Sequence, residues 1–119
     1  NAKNLASSIS PWIVTLEALQ YCKIKLPKQE PALMKYLLDD NDYLFDIDLT
    51  ISIQSQNMTE PQIISESNSK YLYYSCFQQL THHTITGCNF KSGDMWGSGT
   101  ISGPNKSSYG SLLELTWNG

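Results

Sequence analysis

The sequence predicts a β-rich α+β fold, and three observations carry that prediction. Residues 43–54, YLFDIDLTISIQ, set Tyr43, Phe45, Ile47, Leu49, Ile51 and Ile53 against Leu44, Asp46, Asp48, Thr50, Ser52 and Gln54. Such alternation is what a long strand with one buried and one wet face requires. Residues 69–84 place Leu72, Cys76 and Leu80 at i, i+4 and i+8, beside Tyr73 and Phe77, the spacing of a helix with one apolar face. From Gly87 onward, turn-forming residues separate short extended runs, so strands outnumber helices. At 119 residues with 40% apolar content the chain is one domain in size. It starts at Asn1 and stops just after an alternating apolar run. Residues 1–119 are therefore expected to be a single partial domain, truncated at both ends.

In chain order, Ser10-Pro11-Trp12 offers a turn or the first position of a helix, and Ile13, Leu16 and Leu19 follow at partly helical spacing; a short helix is expected over 12–20. Residues 21–41 carry Pro27, Pro31 and Asp39-Asp40-Asn41 and read as an irregular connection. Leu33, Met34, Tyr36, Leu37 and Leu38 within it still need burial. The long strand occupies 43–54, a turn 56–61 and a short strand 62–65. Ser67-Asn68-Ser69 offers N-cap side chains to a helix over 69–84, stopped by Gly87. Lys91-Ser92-Gly93-Asp94 is turn chemistry, 95–102 is extended, Gly103-Pro104-Asn105 turns again, and 112–117 alternates as a last strand.

Charge narrows the function classes. The formal net charge is -3, and the 8 basic residues are scattered lysines with no stripe to follow a phosphate backbone, so no nucleic-acid partner is expected. No apolar run approaches the roughly 20 residues of a bilayer span, and the N-terminus lacks the layout of a signal peptide. No membrane partner is expected. Cys22, Cys76 and Cys88 form no metal-ligating or redox spacing and read as reduced thiols of a cytoplasmic protein. Asn57-Met58-Thr59 and Asn105-Lys106-Ser107 match the glycosylation sequon, a pattern short enough to arise by chance and active only in secreted chains.

Several residues invite chemistry. Gly97, Gly99 and Gly103 superficially match a dinucleotide fingerprint, but the last spacing is one residue too long and no helix follows to aim its amides at a pyrophosphate. Asp46 and Asp48 share one strand face and are read as a solvated face, with oxygen ligation of a hard cation as the alternative. His82 and His83 point about 100° apart on a helix, so they cannot share a metal; one is expected to pack or cap and the other to meet solvent. Composition leaves Lys3 as a solvated terminal lysine, and Glu114, between Leu113 and Leu115, as pointing opposite to them.

Taken together, KNLASSISPWIV, YLFDIDLTISIQ, SNSKYLYYSCFQQLTHHTITGCNF, SGDMWGSGTISGP and YGSLLELTW closely resemble, in order, successive segments of the fumarylacetoacetase family. The resemblance implies part of a C-terminal catalytic domain, a mixed β-sandwich roll. It also implies a homodimeric, Mg²⁺- or Ca²⁺-dependent hydrolase that splits the carbon–carbon bond of 4-fumarylacetoacetate, a β-diketone, into fumarate and acetoacetate, the last step of tyrosine and phenylalanine breakdown. Relatives acting on acylpyruvates carry a glycine stretch like GDVIxTGTPxG, whereas residues 93–104 read GDMWGSGTISGP, closer to the fumarylacetoacetase form. An acylpyruvate hydrolase and a non-catalytic scaffold are the alternatives. By the same resemblance, Lys3 is catalytic beside the metal and stabilises developing oxyanion charge. Ser7, where threonine is usual, lies near the metal, and Ala6 stands where glycine is usual. Thr100 contacts a substrate carboxylate, and Glu114 is catalytic through the base histidine whose tautomer it fixes. The metal carboxylates and that histidine are expected upstream of Asn1, so the isolated chain is expected to be inactive.

Overall fold

The computed structural model describes residues 4–117. Its order is a 3-10 turn Ala18–Cys22, strand β1 Lys23–Lys25, a 3-10 turn Lys35–Leu37, strands β2 Tyr43–Phe45, β3 Asp48–Ile53 and β4 Gln62–Asn68, a 3-10 turn Ser69–Tyr71, helix α1 Cys76–Thr84, a 3-10 turn Lys106–Ser108 and helix α2 Leu112–Thr116. Two antiparallel pairs, β1–β2 and β3–β4, make up the sheet structure. The class is α+β, as expected.

The long strand expected over 43–54 is two strands in two sheets. Asp46 N–H donates to Cys22 O at 2.7 Å, completing the β1 side. Ile47 instead exchanges its backbone groups with Ser69: Ile47 N–H donates to Ser69 Oγ at 3.1 Å and Ser69 N–H to Ile47 O at 2.9 Å. Ser69 Oγ–H also donates to Phe45 O at 2.5 Å. One serine thus holds both sides of the break, and the chain changes partners there. Beyond it, β3 pairs with β4 and the register slips between Ile51 and Ser52. The alternation produces a polar face, yet Ile51 and Ile53 on the apolar face remain exposed.

The helix expected over 69–84 begins later. Asn68 Oδ1 accepts from Lys70 N–H at 2.8 Å, but this starts only the 3-10 turn, and Leu72 returns to extended backbone with ψ 141°. Ser75 then opens α1 with a reciprocal cap: Gln78 N–H donates to Ser75 Oγ, and Ser75 N–H donates to Gln78 Oε1, both at 3.1 Å. Two orphan amides are satisfied at Ser75 and one at Asn68, so the later start wins. Residues 12–20 form no α-helix; only the short 3-10 turn from Ala18 is present, and Trp12, Ile13, Val14 and Leu16 are exposed with no apolar face to pack on.

The expected last strand over 112–117 is α2. Ser111 Oγ accepts from Glu114 N–H at 3.3 Å, and the left-handed Trp117, φ 49°, ends the helix by donating to Leu113 O. Among the described residues no strand edge lies beside this run, so the local cap decides its shape. The turn at 91–94 is present, with Asp94 N–H donating to Lys91 O at 3.1 Å and Lys91 N–H to Asp94 Oδ2 at 2.8 Å.

Burial is sparse. Leu37 and Leu44 are the buried hydrophobics among the described residues. The chain exposes 9934 Å², against about 6,500 Å² for a compact monomer of this mass. Its radius of gyration is 16.6 Å, where about 13.5 Å is typical. Polar ties therefore carry an unusual share of the fold. Chief among them is the amide pair Gln29–Gln78, which pins the 26–38 connection to α1 through bonds of 2.9 and 3.0 Å.

Candidate functional site

The glycine-dense stretch and the last helix meet at one carboxylate. Glu114 Oε2 accepts Ser111 Oγ–H at 2.7 Å and Ser102 Oγ–H at 2.8 Å. Ser102 Oγ in turn accepts Gly110 N–H at 2.9 Å. Close backbone packing makes this possible. A Cβ on Gly110 would stand 2.9 Å from Ile101 O and 3.0 Å from Ile101 N, and one on Gly103 would stand 2.5 Å from Ser108 Oγ. These two glycines are where the sequence needs the missing side chain. Ile101 is fixed from behind by Ser67, whose hydroxyl donates to Ile101 O at 2.7 Å, and Gly103 N–H closes the turn on Ser108 O at 2.8 Å. The seat of Glu114 is thus built from β4, the 101–110 turn and α2.

The two serine hydroxyls, Ser111 first and Ser102 second, hold the Glu114 carboxyl below the usual carboxylate range by stabilising its ionised form. Both act on Oε2. Among the described residues Oε1 carries no hydrogen bond, leaving it free to accept from an imidazole N–H. A carboxylate kept ionised, with one oxygen clamped and one free, can fix a histidine tautomer and support the charge that histidine acquires as a base.

Thr100 lies in the same stretch, exposed, two residues before Ser102. No hydrogen bond ties it to Glu114 among the described residues, and it is accessible to solvent. Ser7 is exposed in the open N-terminal run; the structure does not bring it to Glu114. Lys3 lies outside the described residues. The Mg²⁺ or Ca²⁺ implied by the resemblance finds no ligand set in this chain: among the described residues no group of three or more His, Cys, Asp or Glu side chains converges. Asp46 and Asp48 do share a face, but the buried Asn68 amide fills the space between them. Its Nδ2 donates to Asp46 Oδ1 at 2.6 Å and to Asp48 Oδ1 at 2.9 Å.

Both histidines are exposed, so the one expected to meet solvent does, and each also has a polar partner. Tyr36 Oη lies 3.0 Å from His82 Nδ1 and the rings stack. His83 Nε2 lies 3.1 Å from Cys88 Sγ. Sequence reasoning also missed Ser102 and Ser111. The spacing Ser111-x-x-Glu114 was a readable capping signal, whereas Ser102 reaches Glu114 across a turn that no local pattern announces. Cys22, Cys76 and Cys88 are free thiols.

No family model matches the chain. It is 54% identical over 118 residues to a fumarylacetoacetase of Dictyostelium discoideum, covering 99% of this chain and 28% of that protein. Fumarylacetoacetases of Oryza sativa subsp. japonica and Homo sapiens are 47% and 44% identical, each over 117 residues and 98% of this chain. The resemblance carried by the five quoted segments is thereby borne out along nearly the whole sequence. The chain spans little more than a quarter of the length of these relatives: 28%, 27% and 28%.

Proposed function

We propose that this chain is a piece of a fumarylacetoacetase, a hydrolase cleaving the carbon–carbon bond of 4-fumarylacetoacetate to fumarate and acetoacetate. The observation that carries the reading is identity of 44% to 54% sustained over 98% to 99% of the chain. The sparse apolar burial agrees with a segment whose faces are covered within a larger fold, and the mixed β-sandwich roll of the family is the architecture proposed for that fold. Cytoplasmic location and a homodimer are proposed on the same resemblance. No helix among the described residues is long and apolar enough to cross a membrane.

Within that reaction Glu114 is a positioning residue. Its free oxygen receives the N–H of the base histidine, while Ser102 and Ser111 keep it ionised and aimed. The histidine is thereby held in the tautomer able to take a proton from water. Thr100 offers its hydroxyl to a carboxylate of the substrate, and the bare backbone at Gly97 and Gly99 lets a ligand come close. Lys3 is proposed to stabilise oxyanion charge and Ser7 to lie near the cation. The cation itself is assigned to carboxylates outside this chain, and no step here runs through it.

The test is hydrolysis of 4-fumarylacetoacetate by the longer protein that carries this sequence, with acylpyruvates as competing substrates. Preference for the fumaryl diketone is expected. Preference for acylpyruvates would move the protein to that branch, and turnover of neither would leave a scaffold. The 119 residues alone are expected to be inactive, and measurable turnover by them would refute the assignment of base and cation to residues outside them.

A further inference from the structure

Helix α1 ends in a way that sets a nucleophile against a base. Gly87, with φ 89°, takes the left-handed conformation that other residues avoid, and its N–H donates to Thr84 O at 2.9 Å. The chain folds back there and brings Cys88 onto His83 in the last turn of the helix. The Nε2···Sγ distance is 3.1 Å. Phe90 meets the His83 ring edge-on at 5.2 Å, and Trp96 meets Phe90 at 5.9 Å. The imidazole is therefore oriented by an aromatic wall rather than left to rotate. Cys88 is exposed while Cys22 and Cys76 are only partly accessible. Cys76 also has its thiol pushed up by burial, which disfavours the reactive thiolate.

We propose that Cys88 and His83 form a thiol–imidazole site that adds soft electrophiles of the α,β-unsaturated carbonyl class. His83 reacts as the Nδ1–H tautomer, with Nε2 taking the thiol proton. The sulfur electron pair forms the new bond to the β-carbon, and the carbon–carbon π pair moves onto the carbonyl as an enolate. The proton held on Nε2 then passes to the α-carbon. The product is a thioether, the neutral imidazole is restored, and nothing is oxidised or reduced overall. The exposed ring of Trp96, set edge-to-face against Phe90, supplies an apolar face for the conjugated part of the reagent. This site is separate from the Glu114 seat and does not depend on the proposed hydrolase activity.

The probe is N-ethylmaleimide, given below stoichiometry at neutral pH to the longer protein that carries this sequence, with adducts on Cys22, Cys76 and Cys88 quantified by peptide mass spectrometry. Cys88 is expected to carry the adduct, and His83→Gln is expected to slow its labelling about tenfold by removing the proton acceptor. If accessibility alone governs, that substitution leaves the Cys88 rate unchanged; a rate within about threefold of the parent overturns the proposal. Gly87→Ala supplies an independent arm. It leaves thiol and imidazole intact but strains the turn that joins them, so Cys88 labelling is again expected to slow, and an unaltered rate again overturns the site. Far-UV circular dichroism shows whether α1 persists in each variant.

Discussion

Replacing Gln78 by alanine is the sharpest test of what holds this sparsely buried chain together. The side chain is buried and makes four hydrogen bonds. Oε1 accepts Ser75 N–H at 3.1 Å and Gln29 Nε2 at 2.9 Å, and Nε2 donates to Gln29 Oε1 at 3.0 Å and to Leu37 O at 3.4 Å. The last is near the limit of a useful bond and counts for little. The Gln29 amide is half-buried and can turn to water, so its two bonds contribute about 1 kcal/mol together. Ser75 is fully buried, and its N–H loses its acceptor with no water to replace it, costing about 2 kcal/mol. The sum is roughly 3 kcal/mol, whereas Ser75→Ala, which removes one cap acceptor, costs about 1 kcal/mol. Native-state hydrogen exchange at the α1 amides reads the difference. Gln78→Ala should accelerate exchange about a hundredfold and Ser75→Ala about fivefold. Equal acceleration, or a larger effect from Ser75→Ala, would refute the view that Gln78, which joins the cap to the Gln29 amide pair, holds α1 in place more than the Ser75 hydroxyl does.

Three further outcomes follow from the site and its surroundings. Ser102→Ala should raise the Glu114 titration midpoint, read by carbon-13 NMR of the side-chain carboxyl, because a hydroxyl that stabilises the ionised form is lost. As the Glu114 carboxyl lies below its ordinary value in the folded chain, its contribution is complete above that ordinary value and disappears as pH falls through the lower folded one; the variant should narrow that window. Gly110→Ala should cost about 1 to 3 kcal/mol in urea unfolding, since the new Cβ meets Ile101 backbone atoms that cannot swing aside. Ser65→Ala should be neutral or slightly stabilising in the same assay, because the buried Ser65 hydroxyl has no partner among the described residues.

What the sequence announced and what it hid divide along physical lines. Local chemistry was legible: the 91–94 turn, a helix around Phe77 to Leu80, and the shared face of Asp46 and Asp48 all follow from spacing a few residues long. Long-range competition was not. Period two continues unbroken through Asp46-Ile47, and only Ser69, 22 residues away from Ile47, decides that the strand changes partners there. Ser67-Asn68-Ser69 looked like the better helix start because three capping residues cluster, but Ser75 with Gln78 satisfies more amides. The run 112–117 alternates as a strand should, yet without a neighbouring edge among the described residues the Ser111 cap draws it into α2. At the site, Thr100 and Glu114 were named through family resemblance. The tie of Glu114 to the glycine stretch through Ser102 depends on the close approach of Gly110 to Ile101, which only the folded backbone reveals.

Glu114, clamped on one oxygen by Ser102 and Ser111, is proposed to orient the base of a fumarylacetoacetate hydrolase. The direct measurement is kcat for 4-fumarylacetoacetate in the longer protein carrying Glu114→Gln, with its pH–rate profile and its melting temperature. Glutamine keeps the shape but removes the charge that fixes the histidine. The expected result is a kcat loss of at least about a hundredfold, a KM little changed, an acidic limb of the profile shifted to lower pH and an unaltered melting temperature. A kcat equal to that of the parent protein, with the same pH profile, would contradict it.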